Sequence, residues 1–387
     1  MAKEKANKKV EEINDTTDFF SRVASVIEQA RKFVGRTADL TMSVTYFEIG
    51  RMIVEKEQEG KARAGYGKEL IAGLSNFLTA KFKKGFSETN LKNARFFYTA
   101  YSERLKKAVE KGQLLTAELP AIQTNRIGQL LTAELDGYET MKQAAGFFRL
   151  GWTHYTVLMR IENEQERRFY EIETERENWT VEQLKRQYHS SLYERLALSR
   201  DKNEVMRLAR EGMTVDKPRD MLKSPLVLDF LGMAEDASYS ETKLENAIIT
   251  KLQDFLLELG KGFLFEARQK RFTFDERSFF VDLVLYNRLL QCYVLIDLKA
   301  DELKHQDLGQ VLMYVNYFDR YVKKDFEKPT IGILLCKEKN DNIVELTLPK
   351  DANIYASAYS LYLPDKTLLQ SKLAEWIQEF EDEHSTK

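Results

Sequence analysis

Cysteine, histidine and net charge are all scarce in this chain of 387 residues, which holds 2 cysteines and 4 histidines. Cys292 and Cys336 fall in apolar, strand-like runs without CxxC or Cys/His spacing, which excludes a disulfide framework or a structural zinc site and leaves reduced, buried thiols. His154 and His189 have no metal-ligand spacing either and read as packing residues. Lysine plus arginine total 59 against 61 acids, a formal charge of −2, so any attraction to nucleic acid or to an anionic membrane must come from local patches. Nothing is long and apolar enough to read as a membrane span, and "MAKEKANKKVEEINDTTD" has no apolar stretch of the kind a secretory signal needs. The expected location is the cytoplasm, with no membrane partner.

What is present describes an ordinary globular protein, 43% hydrophobic and 31% charged, long enough for two domains that each bury a core. From Asp18 to about Lys202 apolar residues recur every three or four positions, which predicts a mostly α-helical domain over 1–210. "GQLLTAEL" occurs twice, at 112–119 and 128–135; one short duplication is too little for a solenoid and fits a tolerant connection. Trp152, Tyr155, Phe169, Tyr170 and Trp179 are read as helix-packing aromatics. Gly212, Pro218 and Pro225 punctuate a linker over 211–225. Beyond it, over 226–387, the pattern becomes a helix from Glu241 to Leu259, strands near Phe263–Phe274, Phe279–Tyr286 and Cys292–Leu298, a helix from Gln306 to Phe318 and the strand "TIGILLC". That order is a mixed α/β domain.

Its apolar strands carry charges that need a reason. On a strand, side chains alternate, so Asp297 and Lys299 share one face while Ile296 and Leu298 take the other. A two- or four-residue turn after Tyr286 sets Asp282 opposite Leu295 and diagonal to Asp297 on that face; a three-residue turn flips it away. Glu245 adds a third carboxylate, in line with Ile249, Leu252 and Leu256 on an inward helical stripe, with Glu241 and Glu266 as nearby alternatives. Gln310 and Tyr314, four apart, share a helix face.

A lone DxK is most simply an ion pair. Two carboxylates ~5 Å apart, however, repel by roughly 3 kcal/mol at an effective dielectric near 20, and one lysine does not neutralise three acids. A divalent cation does, and hard oxygen ligands favour Mg²⁺ or Mn²⁺. Asp282 and Asp297 would hold the metal with Glu245 completing the site, Lys299 would meet charge developing on a phosphate, and Gln310 would position the lysine or the substrate.

The pattern E...VD...DLK...QxxxY resembles the PD-(D/E)XK nucleases, with Val281 in the place of the motif proline. "FLLELGKGFLFEARQKRF", "FFVDLVLYNRLLQCYVLIDLKADELK", "LGQVLMYVNYFD" and "KPTIGILLCKEKN", with "YFEIGRMI", "GFSETNLKNARFFYTAY", "WTHYTVLMRI" and "SLYERLALSRDK" further upstream, resemble the YhcG-like family of PD-(D/E)XK nucleases. The resemblance implies a multidomain chain, an α-helical, helix-turn-helix-like domain followed by an α/β restriction-endonuclease-like domain.

A delivery surface is also legible. "GYGKELIAGLSNFLTAKFKKGFSETNLKNARFFYTAY" lays out a helix, a turn at Gly85, an N-cap at Ser87 and a second helix, with Leu70, Leu74, Phe77 and Leu91 as its core. Lys81, Lys83 and Lys84 before the second helix and Lys92 and Arg95 on it are placed to touch phosphates, or to form a solvated basic face. The expected function is a Mg²⁺- or Mn²⁺-dependent nuclease acting on nucleic acid, taken as DNA, alone, as a homodimer or with a partner protein. A non-catalytic scaffold with a nuclease-like fold is the rival; a helical transcription regulator whose second half only dimerises is a third reading.

Overall fold

The computed structural model describes residues 35, 37–58, 66–110, 146–198, 202–215, 217–221, 225–233, 239–349 and 352–385; the N-terminal tail and both copies of "GQLLTAEL" lie outside them. The chain forms two compact units, one drawn from Met1–Arg167 with Thr174–Val181, the other from Arg168–Glu173 with Glu182–Lys387.

The first unit is helical, with helices over 37–58, Tyr66–Phe82, Glu88–Glu110 and Trp152–Leu158 among its described residues. Its centre is a file of aromatic rings: Phe97 lies 5.6 Å from Phe47, 4.8 Å from Phe148 and 4.9 Å from Tyr155, and Trp152 stacks on Tyr46 at 4.3 Å. These aromatics pack helices, as expected. Gly50 has its reason here, because a β-carbon would run into the Ala94 carbonyl of the crossing helix. The expected helix pair forms, with Gly85 and Lys83 in left-handed conformations in its turn and the Ser87 hydroxyl accepting from the Asn90 amide at 3.3 Å. Its apolar face differs from the expected one. Ile71 rather than Leu70 joins Ile53 and Leu91 in the core, Leu74 packs at the edge, and Phe77 is 63% exposed, so the helical phase is one residue off.

The second unit is built on a six-stranded sheet in the order β1-β6-β5-β4-β3-β2. The strands are β1 Leu226–Val227, β2 Phe263–Phe274, β3 Arg277–Asn287, β4 Cys292–Leu298, β5 Ile331–Cys336 and β6 Ile354–Ser360. β2, β3 and β4 form an antiparallel meander; β4, β5, β6 and β1 run parallel. The parallel step from β4 to β5 requires a crossover, supplied by the His305–Tyr321 helix. That helix packs Leu308, Val311, Tyr314, Val315 and Phe318 against Val284, Leu295 and Leu334. On the opposite face, helices Glu241–Thr250 and Leu252–Leu259 pack Leu244, Ile248, Phe255 and Leu259 against Leu283, Ile296 and Leu298. β4 is covered on both sides, which is why it reads as an apolar run.

The helices between Glu182 and Glu211, assigned from the sequence to the first domain, fold with this second unit. Glu258, fully buried, receives Arg195 Nη1 at 2.6 Å, Arg186 Nη1 at 3.1 Å and the Val227 amide at 3.0 Å.

Candidate active site

Asn287 ends β3 and shapes the turn that aligns the acids. Its buried side-chain oxygen accepts from the amides of Leu289 and Leu290, and its amide group donates to the Lys261 carbonyl at 2.9 Å. The turn therefore holds four residues, 288–291, between the Asn287 and Cys292 partners. Leu283 pairs with Ile296 and Val284 with Leu295, so continuing the ladder puts Asp282 level with Asp297. Leu295 is thus not the partner of Asp282: the pairing is displaced by two from the one expected. Because side chains alternate with a period of two, that displacement keeps Asp282 on the same face as Asp297.

The two carboxylates are held differently. Asp282 Oδ2 accepts from the Leu298 amide at 2.8 Å, and its Oδ1 accepts from Gln269 Nε2 at 2.9 Å. Asp297 is 2% exposed, with Oδ2 2.7 Å from Lys299 Nζ. Burial pushes its carboxyl up to about 6, against the pull of Lys299 and with a further push from Asp282. Burial pulls the Lys299 ammonium down, but Asp297, Glu241 and Asp282 outweigh it and leave the pKa above the ordinary 10.5.

Glu245 is 4% exposed, at the edge of the inward stripe rather than on it, since Leu244 and Ile248 face the core. Its Oε1 lies 2.9 Å from Arg268 Nε and its Oε2 accepts from Gln269 Nε2 at 2.7 Å. One amide thus ties Glu245 to Asp282. Gln269 lies opposite Asp282 across the β2–β3 ladder, between the Arg268–Leu283 and Lys270–Val281 pairs, and has φ of 45°. A left-handed glutamine inside a strand costs roughly 1–3 kcal/mol and calls for a compensating role.

Gln310 donates to the Tyr314 hydroxyl instead of to Lys299, so the expected contact with the lysine is not made. Tyr314 is buried, and burial, with the charges of Asp297 and Asp282, raises its pKa. Its ring meets Phe272 edge-on at 5.6 Å. Glu241, one of the alternatives to Glu245, comes within 3.8 Å of Lys299 Nζ. Sequence reasoning missed Gln269, Arg268 and the Glu241 contact. The exposed "RQKR" run of β2 was the available trace.

Among the described residues no three histidine, cysteine, aspartate or glutamate side chains are gathered as a ready metal-holding group, and the Gln269 amide stands between Glu245 and Asp282. The donor chemistry nevertheless suits a divalent cation. Buried Asp297 Oδ2 and Glu245 Oε1 make no aligned hydrogen bond and meet only the cations of Lys299 and Arg268. Carboxylate oxygens left in that state suit Mg²⁺ or Mn²⁺.

In the first unit the expected phosphate-binding residues divide. Lys83 and Lys84 are exposed in the turn. Lys92 lies 3.0 Å from Glu88, and Arg95 lies 2.8 Å from Glu57 on the 37–58 helix. No described helix is long and apolar enough to cross a membrane.

Comparison with known proteins places this geometry. Residues 219–374 match the family described as YhcG PDDEXK nuclease domain, and residues 22–195 match the DUF1016 N-terminal domain. "Putative nuclease YhcG" of Escherichia coli (strain K12) is 37% identical over 352 residues, 91% of this chain and 92% of its own length. The chain belongs to the YhcG family. In this YhcG-family protein Glu241, Glu245, Asp282 and Asp297, with Lys299, Gln310 and Tyr314, fall inside the nuclease-domain match, and the basic helix pair falls inside the N-terminal one. Two solved structures are also similar. A repair endonuclease from Pyrococcus abyssi is 19% identical with a TM-score of 0.23, over 34% of this chain and 50% of that one. An EndoMS complex with double-stranded DNA is 16% identical with a TM-score of 0.24, over 34% and 49%.

Proposed function

We propose that this chain is a divalent-metal-dependent nuclease that hydrolyses phosphodiester bonds in DNA, with the helical first unit serving to bind the nucleic acid or to assemble on it. The observation that carries the reading is the level pair Asp282 and Asp297 on neighbouring strands, with Lys299 beside Asp297 on the same face. Asp282 and Asp297 are the residues to hold Mg²⁺ or Mn²⁺, with Glu245 at the rim. A cation held there supplies Lewis-acid charge for phosphodiester hydrolysis near neutral pH. Lys299, fixed by Asp297 and kept protonated by the surrounding acids, presents a positive charge to a phosphate oxygen as negative charge grows on it. The Leu298 amide fixes the orientation of Asp282, and Tyr314 with Gln310 closes the helix side of the site. In the first unit, the turn between the Tyr66–Phe82 and Glu88–Glu110 helices carries Lys83 and Lys84 and the second helix carries Lys92 and Arg95, a helix-turn-helix-like surface for phosphates.

Single-stranded, duplex, flap and branched DNA incubated with the purified chain and Mg²⁺ or Mn²⁺ tests the reading. Cleavage should need the metal and vanish in Asp282→Ala and Asp297→Ala; equal cleavage by Asp297→Ala sinks the mechanism. One observation favours a second reading, a nuclease-like scaffold without catalysis: the Gln269 amide already bridges two of the three acids. A chain that takes up neither metal in calorimetric titration but still binds DNA would establish that alternative.

A further inference from the structure

Glutamine 269 combines three features that structural packing does not explain together. Its backbone is left-handed in a ladder that also shifts register between Phe265 and Ala267, the residue is exposed, and its side-chain nitrogen reaches two acids at 2.7 and 2.9 Å. Ionised carboxylates only accept, so the NH₂ end of the amide must be the one that faces Glu245 and Asp282. Its two N–H groups lie between acids that a shared cation would otherwise join.

We infer that Gln269 works as an amide switch on the metal position, an inference that rests on the metal-dependent reading above. Its NH₂ group ties Glu245 to Asp282 and offsets their repulsion. Were a divalent cation held by these acids, the amide N–H groups would face it unfavourably and a carbonyl oxygen favourably. The amide then turns over and presents Oε1, a hard oxygen of the kind Mg²⁺ and Mn²⁺ accept. The left-handed backbone of β2 places the amide where either end can be used. Arg268, already paired with Glu245 through Nε and with Asn246 through Nη2, holds the glutamate from its other side.

The test is calorimetric titration of Mn²⁺ into the full chain and into Gln269→Glu and Gln269→Met, with thermal unfolding in EDTA and in Mn²⁺. A glutamate cannot donate but adds a charged oxygen, so Gln269→Glu should melt lower in EDTA, bind Mn²⁺ about tenfold more tightly and gain more from it on melting. Methionine fills similar space with neither function, so Gln269→Met should melt lower in EDTA and bind Mn²⁺ about tenfold more weakly. Equal Mn²⁺ affinity in all three chains overturns the inference and leaves the nuclease reading standing. Tighter binding by Gln269→Met also overturns it, because the amide would then only compete with the metal. If the unaltered chain binds no Mn²⁺, the metal-dependent reading and the switch fall together.

Discussion

Asp297→Asn tests whether the site holds its charge at a cost to stability. Burial sets the Asp297 carboxyl at about 6 against an ordinary 3.8, so the folded chain binds this proton more tightly than the unfolded chain does. A raised pKa contributes stability that is fully present below pH 3.8 and is lost as pH rises through 6. Converted at 1.36 kcal/mol per pH unit, ionised Asp297 costs the metal-free protein roughly 3 kcal/mol at pH 8, with the help of Lys299 already included. Asparagine resembles the protonated acid in shape and carries no such cost. At roughly 2–4 °C per kcal/mol for a unit of about two hundred residues, Asp297→Asn should raise the melting temperature of the second unit by roughly 6–12 °C at pH 8 in EDTA. The gap should close by about pH 4, where the unaltered carboxyl is protonated as well. Calorimetry across that pH range, in EDTA and then in Mn²⁺, measures both effects. Added Mn²⁺ should reverse the order, because only the unaltered chain gains binding energy. If Asp297→Asn melts at or below the unaltered chain at pH 8 in EDTA, the claim that this carboxylate is strained by burial is wrong.

Three further outcomes are expected. Proton and metal compete for Asp297, so Mn²⁺ affinity should fall by up to about tenfold per pH unit below pH 6 and level off above it, and a flat profile from pH 5 to 8 in titration calorimetry would exclude Asp297 as a ligand. Glu258→Gln weakens the sole carboxylate shown meeting both Arg186 and Arg195, one partner of a buried pair, and should destabilise the second unit by roughly 3–5 kcal/mol; a fragment starting at residue 182 should fold while one starting at 219 should not, and cooperative unfolding by the shorter fragment would contradict the packing described. Lys83→Ala with Lys84→Ala should reduce the slope of log K against log salt for duplex DNA by roughly 2 without changing cleavage at saturating DNA, whereas an unchanged slope would make the turn a solvated face.

The parts of the fold legible in the sequence were those whose pattern is set locally. β2 and β4 match their expected limits because alternation or a continuous apolar run, closed by turn residues, identifies a strand without its neighbours. β1 holds two residues and β6 reads "IYASAYS", rich in alanine and serine, so neither carried such a signal. Alternation also put Asp282, Asp297 and Lys299 on one face. It did not give the partner of Asp282, because the four-residue turn follows Asn287 rather than Tyr286. Likewise, the charges of Lys92 and Arg95 were visible, but Glu57, the partner of Arg95, comes from a helix 38 residues away in sequence. Gln269 was missed for a different reason. Nothing in "RQKR" announces a left-handed residue, and only the folded β2–β3 ladder brings its amide to Asp282.

Each acid of the candidate site has a substitute for the cation it is proposed to share. Asp297 has Lys299, Glu245 has Arg268, and Asp282 has the Leu298 amide with Gln269 linking it to Glu245. These groups are not equivalent. The Leu298 amide could keep its contact with Asp282 if a metal arrived, since it touches one oxygen of a carboxylate that has two. The Gln269 nitrogen cannot, because it lies between the two acids it joins. On the proposed reading the acids would be organised before metal binds, and one neutral side chain would have to rearrange. Such an arrangement limits the repulsion among buried carboxylates without setting a permanent positive charge against the incoming cation at that point. A lysine at position 269 would satisfy the metal-free site at least as well as glutamine does, but it would have no oxygen to offer afterwards.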